Sequence, residues 1–99
     1  MQVKVSARHG HLSEANQAKI REKAEHLTHY YDRITMIQAI VDLEQQATVG
    51  VELLVSVEPS HEFVATERAG ELTKALDAVM HKMEQQLRKY KEKLQDSRG

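Results

Sequence analysis

The sequence contains no cysteine and no tryptophan, and only one proline, four glycines, three tyrosines and one phenylalanine. The absence of cysteine excludes disulfides, thiol catalysis, cysteine-based zinc sites and iron–sulfur clusters within this chain. No apolar run approaches the roughly 20 residues that a membrane-spanning helix needs, and the first residues lack an apolar stretch of signal-peptide length. These absences predict a cytoplasmic protein without a membrane partner.

The length and composition indicate one small globular domain. A chain of 99 residues buries only about 60 to 65 per cent of the surface that it exposes when unfolded, which allows one modest core. The hydrophobic content of 40% and the charged content of 29% are ordinary for such a domain. We therefore interpret residues 1–99 as a single domain.

The charges are unevenly distributed, although the formal net charge is only -1. Residues 82–99 contain six basic and three acidic side chains, whereas residues 1–81 contain eight basic and twelve acidic ones. A phosphate backbone responds to the local field and not to the sum of charges. The near-neutral total therefore does not exclude nucleic-acid binding.

Two periodicities alternate along the chain and predict its elements. Apolar residues recur every second position in four segments, which is typical of half-buried strands, and every third or fourth position in two others, which is typical of helices. Ser13 is well placed to cap the first helix. The predicted order is β-α-β-β-β-α, with strands over residues 2–8, 34–44, 51–57 and 61–67 and helices over about 14–31 and 69–95.

The connections between these elements predict an α+β fold. The first two strands are joined through a helix, so they can lie parallel, whereas the later strands follow short turns and are expected to be antiparallel. Each strand is consistently apolar on one side only, so both helices should cover that side. The expected architecture is a two-layer sandwich in which both helices lie on one face of a four-stranded mixed sheet.

The last helix combines an apolar face with a basic border. Its apolar positions form one stripe close to the helical period: Leu72, Leu76, Val79, Met83, Leu87, Tyr90 and Leu94. Lys82, Gln86, Lys89 and Lys93 form a second row on one side of this stripe, and Arg88 and Lys91 lie on the other. Before Asp96 no acid falls on the first side, so that row is expected to be largely uncompensated. Such a border suits a phosphate backbone, although a solvated helix end stabilised by the helix dipole is an alternative.

Three features carry a resemblance to a known family: "YYDRI" at residues 30–34, "QLRKYKEKL" at residues 86–94, and the β-α-β-β-β-α order. Together they resemble the ribosome hibernation promoting factor family, also called ribosome-associated inhibitor A or sigma-54 modulation protein. The resemblance covers essentially the whole chain. It implies a short form that lacks the C-terminal dimerisation domain of long members.

The resemblance implies a stress-response protein that occupies the messenger-RNA and transfer-RNA channel of the small ribosomal subunit and inhibits translation without chemistry. It also implies contacts to ribosomal RNA by a set of mainly basic side chains: Lys82, Gln86, Arg88, Lys89, Lys91, Lys93, Lys23, Arg33 and Arg8. His9 is a secondary candidate. Four positions depart from the family pattern, namely Thr73, Glu71, Ala7 and Asn16.

The remaining groups of histidines and carboxylates predict neither an enzyme nor a bound cofactor. Six histidines invite a metal hypothesis at His9 with His11 or at His26 with His29, but no carboxylate stands at a convincing spacing, so we expect solvated histidines and no metal. The carboxylates of Asp42, Glu44, Glu52 and Glu62 are expected on a polar sheet face. No glycine-rich phosphate loop or nucleophile motif occurs, and no small-molecule substrate is expected.

The alternative function is a protein-interaction module or a modulator of the transcription machinery that forms a homo-oligomer, such as a weak homodimer. It is supported by Ile40, Leu54 and Val64, which the strand period places on the face that should be wet. Salt dependence distinguishes the two functions, because an apolar interface responds little to salt.

Overall fold

A computed structural model of the protein describes residues 1–96, and the side chains of residues 1–94. The predicted order of elements is confirmed, with one short 3-10 helix, His26–His29, after the first α-helix. The elements are β1 (Gln2–Arg8), α1 (Glu14–Glu25), β2 (Ile34–Asp42), β3 (Val49–Val57), β4 (His61–Ala69) and α2 (Leu72–Asp96).

The first helix begins as its sequence indicates and ends earlier. The Ser13 hydroxyl accepts a hydrogen bond from the Asn16 amide at 3.1 Å, which satisfies one of the free amides of the first turn. At the other end α1 stops at Glu25, whose carbonyl accepts a hydrogen bond from the Thr28 hydroxyl at 2.8 Å. Leu27 and Tyr31 are nevertheless buried, so the predicted apolar face continues through the 3-10 helix and beyond.

The sheet is mixed, as predicted, with the order β1-β2-β3-β4. The first two strands are parallel, with Val5 opposite Ala39, and the other two pairs are antiparallel. One face carries the buried side chains of β2, β3 and β4, such as Ile37, Leu53 and Ala65, and the half-buried Val3 and Val5 of β1. Within residues 1–96 no helix covers the opposite face, and its side chains are intermediate or exposed.

Both helices lie on the buried face and run in the same direction. Two hydrogen bonds link them at the same offset, from Lys19 to Thr73 and from Lys23 to Asp77. Each helix therefore starts at the end of the sheet where β1 and β2 finish. Among the described residues, no helix is long and apolar enough to span a membrane.

The last helix is longer than the sheet that it covers. Its 25 residues span about 37 Å at about 1.5 Å per residue, whereas a strand of nine residues spans about 30 Å. Leu76, Val79, Met83 and Leu87 are fully buried, but Leu94 is 39% exposed. The predicted apolar stripe therefore stops near Tyr90, and the C-terminal turns project beyond the strands.

We expect Leu87→Ala to lower the free energy of unfolding by about 2 to 5 kcal/mol, because the side chain is fully buried and its removal leaves a cavity. Urea unfolding followed by circular dichroism measures this change. The control is Val64→Ala, whose side chain is 48% exposed on the open face, and its cost should stay below about 1 kcal/mol. Equal costs for the two variants would contradict the packing described.

Candidate nucleic-acid interface

Five cations gather at one end of the molecule. Four of them, Arg88, Lys89, Lys91 and Lys93, occupy the exposed C-terminal part of α2, and Arg33 stands directly before β2. These positions coincide because β2 begins at the end of the sheet where α2 finishes. We call these five residues the basic end.

The cations of the basic end outnumber the nearby acid of the same helix segment, Glu92, and are not held in ion pairs within the described part of the chain. None of its five cations forms an ion pair with a side chain of residues 1–94. Arg98 and the side chain of Asp96, which also belong to this charged segment, lie outside the described residues. The basic end therefore offers several cations to an external anion.

Aromatic packing fixes the position of the basic end. The Tyr31 and Tyr90 rings meet edge to face with their centroids 5.6 Å apart, and Phe63 contacts Tyr90 in the same way at 5.2 Å. The Tyr31 hydroxyl donates to the Glu58 carbonyl at 3.1 Å. Burial is the largest of the effects on the pKa of this hydroxyl, and it raises that pKa above the ordinary value. The hydroxyl therefore stays protonated at neutral pH and can donate this hydrogen bond.

Tyr30 supports one of the cations. The guanidinium carbon of Arg88 lies 5.7 Å from the centroid of the Tyr30 ring, within the range of a cation–π interaction. This contact links α2 to the segment after α1. The contact restrains the Arg88 side chain. A cation–π interaction transfers no proton, so Arg88 keeps its positive charge.

Lys82 does not fit the expected uncompensated row. Its ammonium lies 2.9 Å from the Glu67 carboxylate and donates to the Thr66 carbonyl at 3.2 Å. The prediction was wrong at this position because Glu67 belongs to β4, and only the packing of α2 beside β4 brings the two charges together. The uncompensated part of the row begins at Lys89.

Gln86 is also engaged within the molecule. Its side-chain amide donates to the Val64 carbonyl of β4 at 3.1 Å. With Lys82, it covers part of the outer edge of an edge strand, whose free carbonyls otherwise invite another strand to pair. These two side chains therefore have a structural role that the sequence did not indicate.

Two other predicted contact residues lie outside the basic end. Lys23 forms an ion pair of 2.6 Å with Asp77 between the helices. Arg8 ends β1 at the opposite end of the sheet, 3.8 Å from Glu52. The structure thus brings together five of the nine predicted RNA contacts and separates or occupies Lys23, Arg8, Lys82 and Gln86.

Comparison with known proteins identifies the family. A family model described as sigma 54 modulation protein / S30EA ribosomal protein matches residues 3–95. The chain belongs to this family. Two curated relatives, from Pseudomonas putida and Azotobacter vinelandii, are named ribosome hibernation promoting factor, and each is 32% identical. The first match covers 96% of this chain and 91% of the relative, and the second covers 94% and 85%.

Solved structures show the same fold. A ribosomal subunit interface protein from Coxiella burnetii superposes with a TM-score of 0.83 at 25% identity, covering 92% of this chain and 98% of that one. The N-terminal domain of Thermus thermophilus Protein Y superposes with a TM-score of 0.81 at 21% identity, covering 91% and 99%. The two-layer α+β architecture is therefore that of its family.

A double-mutant cycle tests the assignment of Lys82. We expect the coupling between Lys82→Met and Glu67→Gln to be about 0.2 to 1 kcal/mol and to fall as salt rises, because both side chains are partly exposed. Urea unfolding of the four proteins of the cycle measures it. The matched control pairs Glu67→Gln with Lys89→Met and should show no coupling. A control coupling as large as that of Lys82 would contradict the structural pairing.

Proposed function

We propose that this protein is a ribosome hibernation factor that acts in the cytoplasm during stress. It binds the ribosomal RNA of the small subunit in the channel of messenger and transfer RNA, and it blocks translation by occupancy. Family membership and the names of its relatives support this proposal. So does the name of the ribosomal subunit interface protein that shares its fold.

The basic end is the structural feature that supports RNA binding. Four of its five exposed cations lie on the part of α2 that projects beyond the sheet, Arg33 lies directly before β2 at the same end, and none forms an ion pair with a described side chain. Each phosphate that they neutralise releases condensed counterions, which is a favourable and salt-dependent contribution to binding. The projection of the helix also keeps the fold itself from obstructing an approaching RNA strand.

The predicted contacts divide into two groups by their state in the free protein. Arg33, Arg88, Lys89, Lys91 and Lys93 can meet phosphate without breaking an ion pair described here. Lys82, Lys23, Arg8 and Gln86 must first leave a carboxylate or a carbonyl of their own chain. We propose that the first group supplies the main contacts and that the second contributes less.

The alternative of a protein-interaction module has one structural support and one structural obstacle. Val64 on the open face is 48% exposed, as that alternative requires. However, side chains from the helices donate to carbonyls of both edge strands, namely from Arg21 to Val3 at 2.8 Å and from Gln86 to Val64. Pairing of copies through either edge would have to displace these hydrogen bonds.

Sedimentation with ribosomes on sucrose gradients, over a range of salt, tests the function. If the protein contacts about four to six phosphates, the logarithm of its affinity should fall with the logarithm of salt concentration at a slope of about -3 to -5. An apolar protein interface should barely respond. A slope near zero would contradict the RNA contacts and favour the alternative.

The double variant Lys89→Gln/Lys93→Gln tests the residues. We expect it to fold normally, to bind ribosomes more weakly, and to reduce the magnitude of the salt slope by about 1.5 to 2 units. The control is Lys4→Gln/Lys74→Gln, which removes the same charge from exposed lysines away from the basic end. Equal weakening by both variants would show that total charge, and not the basic end, determines binding.

A further inference from the structure

The turn after β1 places one histidine between two carboxylates. His9 Nδ1 lies 3.8 Å from Asp42 Oδ1 and 3.9 Å from Glu44 Oε2. The three residues can each offer one ligand atom such that these atoms lie within 4.8 Å of one another. We call these three residues the histidine–carboxylate cluster, which sits at the end of the sheet opposite the basic end.

The backbone around the cluster holds this arrangement. The Leu43 amide donates to the Arg8 carbonyl at 3.0 Å, so the chain after β1 is fixed against the chain after β2. A Cβ at Gly10 would lie 2.9 Å from Leu43 Cδ1 and 3.1 Å from Leu43 Cβ, so a larger residue there would displace the Leu43 side chain. His9 itself has φ of 61°, an uncommon conformation for a residue with a side chain. The fold thus positions His9 between the residues that flank Leu43.

The carboxylate of Asp42 is oriented and ionised. Its Oδ1 accepts a hydrogen bond from the Glu44 amide at 3.1 Å, and its Oδ2 lies 3.5 Å from Arg68. The hydrogen bond from Glu44 is the largest effect that lowers the pKa of Asp42 below its ordinary value. Because Arg68 is on the Oδ2 side, Oδ1 is the oxygen that faces His9.

We propose that the histidine–carboxylate cluster binds one Zn²⁺ ion through His9 Nδ1, Asp42 Oδ1 and Glu44 Oε2, with water completing the coordination. Imidazole nitrogen and carboxylate oxygen both bind zinc at about 2.0 to 2.2 Å, which places tetrahedral ligands about 3.3 Å apart. Small side-chain rotations would shorten the observed separations of 3.8 and 3.9 Å to that value. The single imidazole favours zinc over magnesium or calcium, which prefer oxygen ligands alone.

The surroundings set limits on the affinity. The side chains of His9 and Glu44 are 51% and 68% exposed, so both lose conformational freedom when they bind an ion. Arg8 and Arg68 add positive charge near Asp42. The site is therefore an exchangeable one, and zinc would tie the end of β1 to the end of β2.

The proposed site departs from our expectation that the histidines are merely solvated. The sequence suggested His11 as the partner of His9, because the two are close in the chain. The structure instead provides carboxylates from the far end of β2, and His11 is not a member of the cluster. Long-range strand pairing, which no local spacing reveals, creates the ligand set.

Titration of the untagged 99-residue protein with zinc chloride tests the proposal by calorimetry and by NMR of the histidine rings. We expect a saturable one-to-one site whose first ring to shift is that of His9. His9→Asn removes the imidazole and retains a residue that tolerates positive φ. This variant and Asp42→Asn should each weaken binding by at least about tenfold. The matched control, His11→Asn, should leave the affinity within about twofold.

Thermal unfolding provides a second measurement that does not depend on ribosomes. Zinc should raise the melting temperature of the wild-type protein and of His11→Asn but not that of His9→Asn, because an ion that binds only the folded state stabilises it. The absence of a saturable site, or an equal loss in His9→Asn and His11→Asn, would overturn the proposal. Neither result would affect the proposed function, which rests on the basic end.

Discussion

The contact between the apolar face of α2 and the sheet determines the rest of the structure. Leu76, Val79, Met83 and Leu87 are fully buried against the strands, and this contact fixes both the direction and the height of the helix. Where strands lie beside the helix, its polar side chains find partners on them, as Lys82 does with Glu67. Beyond the strands no such partner exists among the described residues. The boundary between paired and unpaired cations is therefore the end of the sheet.

Local periodicity predicted most of the fold, because burial of one face of a strand or helix requires apolar residues at regular spacing along the sequence. The extent of the apolar stripe was overestimated at Leu94, since periodicity registers apolar residues whether or not a strand lies opposite. Pairings between distant segments were not predictable from one sequence. The ion pair of Lys82 with Glu67 and the approach of His9 to Asp42 both depend on how separate elements are placed.

Two of the positions that depart from the expected family pattern, Thr73 and Glu71, make contacts at the start of α2. Thr73 accepts a hydrogen bond from Lys19 and so joins the two helices. Glu71 lies 4.0 Å from Lys74 beside the start of α2, where a negative charge is favourable. These contacts retain the helix geometry that positions the basic end.

The parallel direction of the helices allows two explanations of the basic end to be weighed. Both helices point their negative ends toward it, so a cation there is stabilised by about 0.3 to 1 kcal/mol even without a ligand. That effect falls off within the last turn, which contains Lys93 but neither Arg88 nor Lys89. It also does not account for Arg33, which precedes a strand. Helix stabilisation therefore explains one of the five cations, and the remaining four are the ones for which the proposed RNA contacts supply a role.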